Sequence, residues 1–319
     1  MESMGQIIQR YRKKQRISQS ELAAHLQISV QAVSKWETGK ANPDVMLLPK
    51  LAKLLGVNVD ALFPGEEEAP SYGETLAFNH SGWNQVAETT WNGTYLPEYG
   101  PYTPSEETLC LLGDVRGKAV LELACGGGES LQWMARHGVK ELWGLDLSQT
   151  RIDQARQRLR SCPQPTHLVC GAMEQNAGFP QGYFDLVYSI YGLGWTMDLD
   201  ATLTRVAEYL KPGGTFVFSW DNPLLQCVEA RGGAYRLTRS YTEEPEIAME
   251  KAGAGLRIRN WKLSSYLNAL ADHGFLLQRM VEESAYDPKE AEVFQEGKYY
   301  SPGKASLLNL SVILKAKKL

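Results

Sequence analysis

The chain has 319 residues and no apolar run approaching the roughly 20 needed to cross a bilayer. Its first stretch, MESMGQIIQRYRKKQR, lacks the apolar core of a secretory signal. A cytoplasmic protein with no membrane partner is the expectation. Cysteine is scarce: Cys110, Cys125, Cys162, Cys170 and Cys227 are scattered, odd in number and form no Cys-x-x-Cys pair. This argues against a disulfide framework and a structural zinc site; reduced, mostly buried thiols and no metal are expected. There is no internal repeat and no long low-complexity tract.

What is present is ordinary for a soluble globular protein: 43% hydrophobic and 22% charged residues. The length suits two domains or one large one. Charge is unevenly placed. Residues 1–65 hold nine Lys/Arg against five Asp/Glu, a balance of +4, while the whole chain is at −4 and the remainder therefore at −8. A small basic head on an acidic body implies that the head seeks an anionic partner. Between them, FPGEEEAPSYGE at 63–74 has two prolines, two glycines and an acidic run. It reads as a linker or exposed turn. The expected division is a head at 1–65, a linker at 66–75 and a body at 76–319.

The head reads as short helices. Ile7, Ile8 and Tyr11 mark one face of the first. In ISQSELAAHLQIS, Ser18 is an expected N-cap with Glu21 three residues on, a capping box, and Leu22 and Leu26 point inward. A turn at Gln27-Ile28 leads to Ser29, a second N-cap, and VQAVSKWE stops near Gly39. Val33 and Trp36 face inward, which leaves Val30, Gln31, Ser34 and Lys35 near the outer face. In DVMLLPKLAKLLGV, Pro49 either kinks the helix or sits in its first turn.

Two capped helices across a tight turn form helix-turn-helix geometry. The segments SQSELA, VSKWETGK and LAKLLGV resemble the Cro/C1-type (XRE-like) helix-turn-helix family at that family's spacing. The resemblance implies a DNA partner, with Gln19 opening the second helix against a phosphate. It also implies that Val30, Gln31, Ser34 and Lys35 approach the major groove, where Gln reads adenine edges and Lys meets guanine or phosphate. Val30 departs from the polar residue often found there. A homodimer or low intrinsic specificity follows, because operators are usually read by dimers. The alternative is a helical bundle used only for protein contacts.

The body alternates strand and helix, the pattern of a doubly wound, mostly parallel sheet with helices on both faces. Strands are expected at 118–124, 141–147, 166–172, 183–190 and 215–220, with two late strands in FLLQRMVE and SLLNLSVILKA. Helices are expected at 130–138, after Ser148, in DLDATLTRVAEYLKPGG up to Pro212 and Gly213, and at 264–275. Ligands of such sheets sit beyond the carboxyl ends of the strands. The loop in AVLELACGGGES supplies Gly126 and Gly128, but a leucine stands at 131, so the third glycine of a dinucleotide loop is missing, as is the Gly-Lys-Ser/Thr of a P-loop. Asp146 follows Gly128 by eighteen residues at a strand end, where an acid can hold both hydroxyls of a ribose. A nucleoside without a pyrophosphate fits these features better than NAD.

VLELACGGGES, LWGLDLS, CGAMEQ, FDLVYS and LKPGGTFVFS resemble, in order, the motifs of class I S-adenosylmethionine-dependent methyltransferases. The resemblance implies a Rossmann-like α/β sheet whose last strand is antiparallel, joined to a small all-α helix-turn-helix head. It implies S-adenosyl-L-methionine as cofactor and S-adenosyl-L-homocysteine as product. Glu122, Ala124, Gly126 and Gly128 would surround its methionine part, with Ala124 standing where the family often has glycine. Asp146 would hold the ribose, Leu147 would lie against the adenine, and Ala172 and Met173 would border that ring. Ser189 and Tyr191 would face the sulfonium.

The acceptor is less legible. The segment IYGLGWTMD after FDLVYS carries no Asn-Pro-Pro-Tyr-type motif, and no cysteine is placed for cytosine chemistry, which disfavours direct DNA base methylation. Tyr72, Phe78, Trp83, Trp91, Tyr95, Tyr99 and Tyr102 crowd the segment before the first strand. With 221–262, the segment at about 76–112 either folds over the cofactor as a lid or packs as core. His80, His273, Tyr99, Tyr102 and Tyr191 are candidate bases or positioners, each with a structural alternative, and His137 is expected at the surface. WNGTYLPEYGPYTPSEETLCLL and FSWDNPLL look like methyltransferases of small molecules, which favours a small-molecule acceptor. Two other readings stand beside it: a regulator that senses S-adenosylmethionine or another ligand without turnover, and a methyltransferase of nucleic acid or of a DNA-bound protein.

Overall fold

The computed structural model describes residues 3–63, 70–88 and 96–319. The chain divides into two compact units, Met1–Ser71 and Tyr72–Leu319.

In the head, α1 spans Met4–Lys14, α2 Gln19–Leu26, α3 Val30–Glu37 and α4 Leu48–Leu55. Ser18 accepts from Glu21 N–H while Glu21 reaches back to the Ser18 N–H, completing the expected capping box. Ser29 caps α3 through the Ala32 N–H. Pro49 lies in the first turn of α4, so the helix starts there and does not kink. Ile8, Leu22, Val33, Leu51 and Leu55 are fully buried. Gly5 is required by packing: a Cβ there would stand 1.9 Å from the Trp36 carbonyl oxygen, so only glycine lets α1 approach α3. A buried ion pair ties the same two helices. Arg12 donates to Glu37 at 2.5 and 3.0 Å and to the Ile17 carbonyl at 2.7 Å.

The body holds α5 (Tyr72–Glu88), α6 (Glu106–Leu109), β1 (Ala119–Leu123), α7 (Glu129–Arg136), β2 (Glu141–Asp146), α8 (Gln149–Leu159), β3 (Thr166–Cys170) and β4 (Phe184–Ser189). Then follow α9 (Leu199–Tyr209), β5 (Leu210–Asp221), β6 (Val228–Arg231), β7 (Ala234–Leu237), β8 (Glu246–Lys251), β9 (Ala254–Arg259), α10 (Leu263–Asp272), β10 (Phe275–Val281), α11 (Pro288–Ala291), α12 (Pro302–Ala305) and β11 (Ser311–Lys318). Seven strands form one sheet in the order β10-β11-β5-β4-β1-β2-β3. Among the described strands of this sheet, β11 alone runs opposite to the others. The strand order reverses direction between β1 and β4, the point where such sheets open a crevice. The central strands β1 and β4 are almost wholly buried, as parallel strands covered on both faces must be.

Two boundaries differ from expectation. The helix expected to run up to Pro212 ends at Tyr209, because Lys211 before a proline is held extended, and β5 begins at Leu210. Helix α5 begins at Tyr72, inside the expected linker, of which residues 66–69 lie outside the described residues. Asn79 donates to the Arg257 carbonyl at 2.8 Å and accepts from the Arg257 N–H at 2.7 Å, docking α5 along β9.

Candidate active site

A cavity of about 1320 Å³ opens beyond the carboxyl ends of the central strands. One end is built by the loop after β1 and the end of β2. β1 is an apolar run buried along its length, and it carries Glu122 into the core with it. Tyr188 donates to that carboxylate at 3.3 Å. Burial first, then the nearby Glu129 carboxylate, push Glu122 well above the usual carboxylate range. Ala124, Gly126 and Gly128 all adopt left-handed backbone, with φ of +55°, +54° and +79°. Gly192 makes room for the Ala124 methyl: a Cβ at 192 would lie 2.5 Å from it. Arg158 of α8 pins the loop, donating to the Gly127 carbonyl at 2.7 Å and to Glu129 at 2.6 Å.

Asp146 ends β2. Its Oδ2 accepts the Gly126 N–H at 2.9 Å and its Oδ1 the Ser148 N–H at 2.8 Å. Each oxygen keeps lone-pair capacity toward the cavity. Desolvation in this recess raises its carboxyl pKa against those two hydrogen bonds.

The other end is aromatic. Trp83, Trp195, Trp220 and Tyr191 make a continuous wall, with successive ring centroids 4.7, 5.6 and 5.2 Å apart. Gly194 is obligatory beneath it, since a Cβ there would sit 1.9 Å from the Trp220 ring. Asp221, the last residue of β5, lines the cavity and is 4% exposed. Three phenols donate to it: Tyr191, Tyr300 at 3.0 Å and Tyr299 at 2.9 Å. Lys251 of β8 reaches into the same space, its Nζ 5.1 Å over Trp83 and 5.8 Å over Trp195.

Of the residues expected around a cofactor, Glu122, Ala124, Gly126, Asp146, Leu147, Ala172 and Met173 line this cavity together. Gly128 and Ser189 do not. Gly128 faces α8, where a Cβ would meet Ala155 at 3.1 Å. Ser189 is fully buried and donates to the Leu123 carbonyl at 2.9 Å, bracing β1 against β4. Among the candidate bases, Tyr102 and Tyr191 line the cavity, whereas Tyr99 and His80 do not. Tyr99 is fully buried and donates to the buried Glu106 at 2.5 Å. Burial and the adjoining carboxylates push the Tyr99 and Tyr191 phenols far up, which favours their protonated forms. His273 pairs with Asp200 at 2.9 Å, away from the cavity. His137 stacks on Trp133. Trp91 and Tyr95 lie outside the described residues. Asp221, Tyr299, Tyr300 and Lys251 were not signalled by any spacing; only the strand-ending Trp-Asp of FSWDNPLL hinted at the first.

Backbone strain concentrates here. Seven described non-glycine residues have left-handed backbone, and four of them, Tyr102, Ala124, Tyr191 and Ala252, line the cavity. Such clustering accompanies sites whose geometry is held by the surrounding fold. In the head, Val30, Gln31 and Lys35 are exposed along α3 and Ser34 is half-buried. Gln19 instead turns its amide inward and donates to Glu37 at 2.8 Å. Among the described residues no group of three or more His, Cys, Asp or Glu is arranged to hold a metal, and no helix is long and apolar enough to cross a membrane.

Comparison with known proteins agrees with this division. Residues 121–218 match the methyltransferase domain family and residues 8–62 the helix-turn-helix family. An uncharacterised protein of Haemophilus influenzae is 30% identical over 48% of this chain and 61% of its own length. A fatty-acid O-methyltransferase of Mycolicibacterium smegmatis is 33% identical over 34% of this chain and 39% of its own. The chain thus spans about two fifths to three fifths of these relatives. The crystal structure of an S-adenosylmethionine-dependent methyltransferase from Mesorhizobium loti superposes with a TM-score of 0.54 at 24% identity, covering 66% of this chain and 95% of that one. Residues 121–218 thus match the methyltransferase domain family and have the fold of S-adenosylmethionine-dependent methyltransferases, and residues 8–62 match the helix-turn-helix family.

Proposed function

We propose that the chain is an S-adenosylmethionine-dependent methyltransferase of a small-molecule acceptor, with a head that binds DNA and regulates or places it. The observation that carries this is the size and polarity of one cavity. Its volume, about 1320 Å³, exceeds the roughly 300–1,000 Å³ of a site for one small ligand. The one cavity is lined both by the loop beside Asp146 and by the aromatic wall and Asp221, so there is room for a cofactor and a second molecule. A mere sensor of the cofactor has no use for the additional space.

The residues present fit the cofactor. Asp146 has two oxygens with spare acceptor capacity for a ribose diol, and Gly126 presents bare backbone, with only Glu129 near where a Cβ would stand. Glu122, Ala124 and Gly126 are assigned to the methionine part, and Leu147, Ala172 and Met173 to the adenine. Gly128 and Ser189 act on the site only by shaping it. When bound, S-adenosylmethionine supplies an electrophilic methyl carbon, whose sulfur keeps the bonding pair as the acceptor's pair forms the new bond. The chain's own task is to align that acceptor and to exclude water, for which Trp83, Trp195 and Trp220 supply apolar wall. The fatty-acid methyltransferase among the relatives supports a small-molecule acceptor. In the head, Val30, Gln31, Ser34 and Lys35 are assigned to the major groove. Gln19 keeps one amide proton and the α2 N-terminus for a phosphate.

Calorimetric titration with S-adenosylhomocysteine tests the cofactor assignment. Asp146→Ala is expected to weaken binding by about tenfold or more, since hydrogen bonds to a charged group are lost. Unchanged affinity would contradict it.

A further inference from the structure

We propose that the Asp221 cluster is the acceptor subsite and that it takes a protonated amine, its nitrogen hydrogen-bonded to Asp221 and the surrounding phenol oxygens with aromatic rings about it. This rests on the methyltransferase reading and names its substrate class.

The protons decide what the cluster can recognise. Tyr191, Tyr299 and Tyr300 each spend their one hydroxyl proton within the cluster, on Asp221. What remains for a ligand is acceptor capacity: lone pairs on three phenol oxygens and the residual capacity of the carboxylate. Such a site selects a hydrogen-bond donor and repels an acceptor such as a carboxylate.

Charge then separates an ammonium from a neutral hydroxyl. Among the described residues no Lys, Arg or His forms an ion pair with Asp221. Lys251 feels its field but sits over Trp83 and Trp195. The cavity lining as a whole holds seven acidic side chains and three basic ones, Arg151, Arg239 and Lys251. A cation entering here meets a nearly dry carboxylate ringed by phenol oxygens, with Tyr191, Trp220, Tyr299 and Tyr300 lining the cavity around it, and a charge-assisted hydrogen bond to that carboxylate favours an ammonium group.

The cluster is built to hold its shape. Lys304 is 1% exposed, and its Nζ donates to the carbonyls of Tyr299 at 2.9 Å and Val228 at 3.1 Å. That buried cation fixes the segment that delivers both tyrosines. Tyr191 is set by its left-handed backbone and by the hydrogen bond from its N–H to Ser219 Oγ at 3.0 Å.

The test uses the full chain saturated with S-adenosylhomocysteine and three probes that share a phenylethyl group: 2-phenylethylammonium, 2-phenylethanol and 3-phenylpropanoate. Binding is read by tryptophan fluorescence. The ammonium is expected to bind about tenfold or more tightly than the alcohol, and the carboxylate more weakly than either. Asp221→Asn should shrink the preference for ammonium to within about twofold and leave S-adenosylhomocysteine affinity intact, which also reports folding. Tyr300→Phe, which keeps the ring, should weaken the ammonium by about three- to tenfold. Should Asp221→Asn fail to fold, the wild-type ranking decides alone. Equal or tighter binding of the alcohol or carboxylate, absence of ammonium binding, or a preference that survives Asp221→Asn overturns the amine assignment. Failure of the wild type to bind S-adenosylhomocysteine overturns the cofactor reading beneath it, and is a separate result.

Discussion

Ala124 occupies a left-handed position next to the glycine loop, and its methyl is accommodated only because residue 192 is glycine. The two positions are therefore coupled. Gly192→Ala is expected to cost about 1–3 kcal/mol by overpacking against the Ala124 methyl. Ala124→Gly relieves left-handed strain of about 1–2 kcal/mol while losing a small buried methyl. In the double variant much of the Gly192→Ala cost should vanish, though Ser189 Oγ at 3.0 Å keeps rescue incomplete. Additive effects in chemical denaturation would refute the coupling. At this scale the sequence was uneven. The position of Asp146 at the end of β2 beside the glycine loop was legible because an acid at the end of an apolar strand, at a set distance from a glycine loop, is a local pattern. The Asp221 cluster was not, because its partners lie 78 and 79 residues away and no periodicity links them. Ser189 misled for the opposite reason: its position in the chain matched the site, but its hydroxyl is consumed by the Leu123 carbonyl.

Among the elements, α3 carries both the outward face and the Glu37 half of the buried ion pair. Burial alone would raise the Glu37 pKa, but the hydrogen bonds from Arg12, Gln19 and Gln9 outweigh it and hold the carboxyl below its ordinary range. Folding lowers this pKa. Its contribution is therefore fully present above the unfolded value of about 4.3 and is lost as pH falls through the lower folded value. Glu37→Ala leaves Arg12 buried without its counter-charge, keeping only the Ile17 carbonyl as partner, and should destabilise the head by about 3–5 kcal/mol at neutral pH. Thermal denaturation checks it; a loss under about 1 kcal/mol would mean that the pair is as cheap as a surface one. Exposed Lys35 makes a different prediction. On a DNA duplex, Lys35→Ala should lower the slope of log affinity against log salt by about 1 in magnitude, if it meets a phosphate. A wild-type slope near zero would assign α3 to protein contacts instead. Capped elements were legible because Ser18 and Ser29 signal within three residues. The docking of α5 was not, because it rests on Asn79 meeting β9 far along the chain.

The whole molecule comprises two units, each with its own hydrophobic core. Two unfolding transitions are expected in calorimetry, and Glu37→Ala should move only one of them; a single transition shifted as a unit would show that the two are coupled. The charge asymmetry and the alternation of strand and helix made this division and the parallel sheet legible, since both are averages over many residues. The packing of α5 on β9 was legible only as an aromatic-rich segment and a segment without assigned elements, because it is decided by contacts between distant parts of the chain. The central claim is that the body turns over a small molecule. Its most direct test is transfer of labelled methyl from S-adenosylmethionine into host-cell extract, separated into small-molecule, protein and nucleic-acid fractions, with Asp146→Ala as control. Label in the small-molecule fraction that disappears with Asp146→Ala is the result expected. Label confined to protein or nucleic acid, or none at all despite measurable cofactor binding, would contradict the claim.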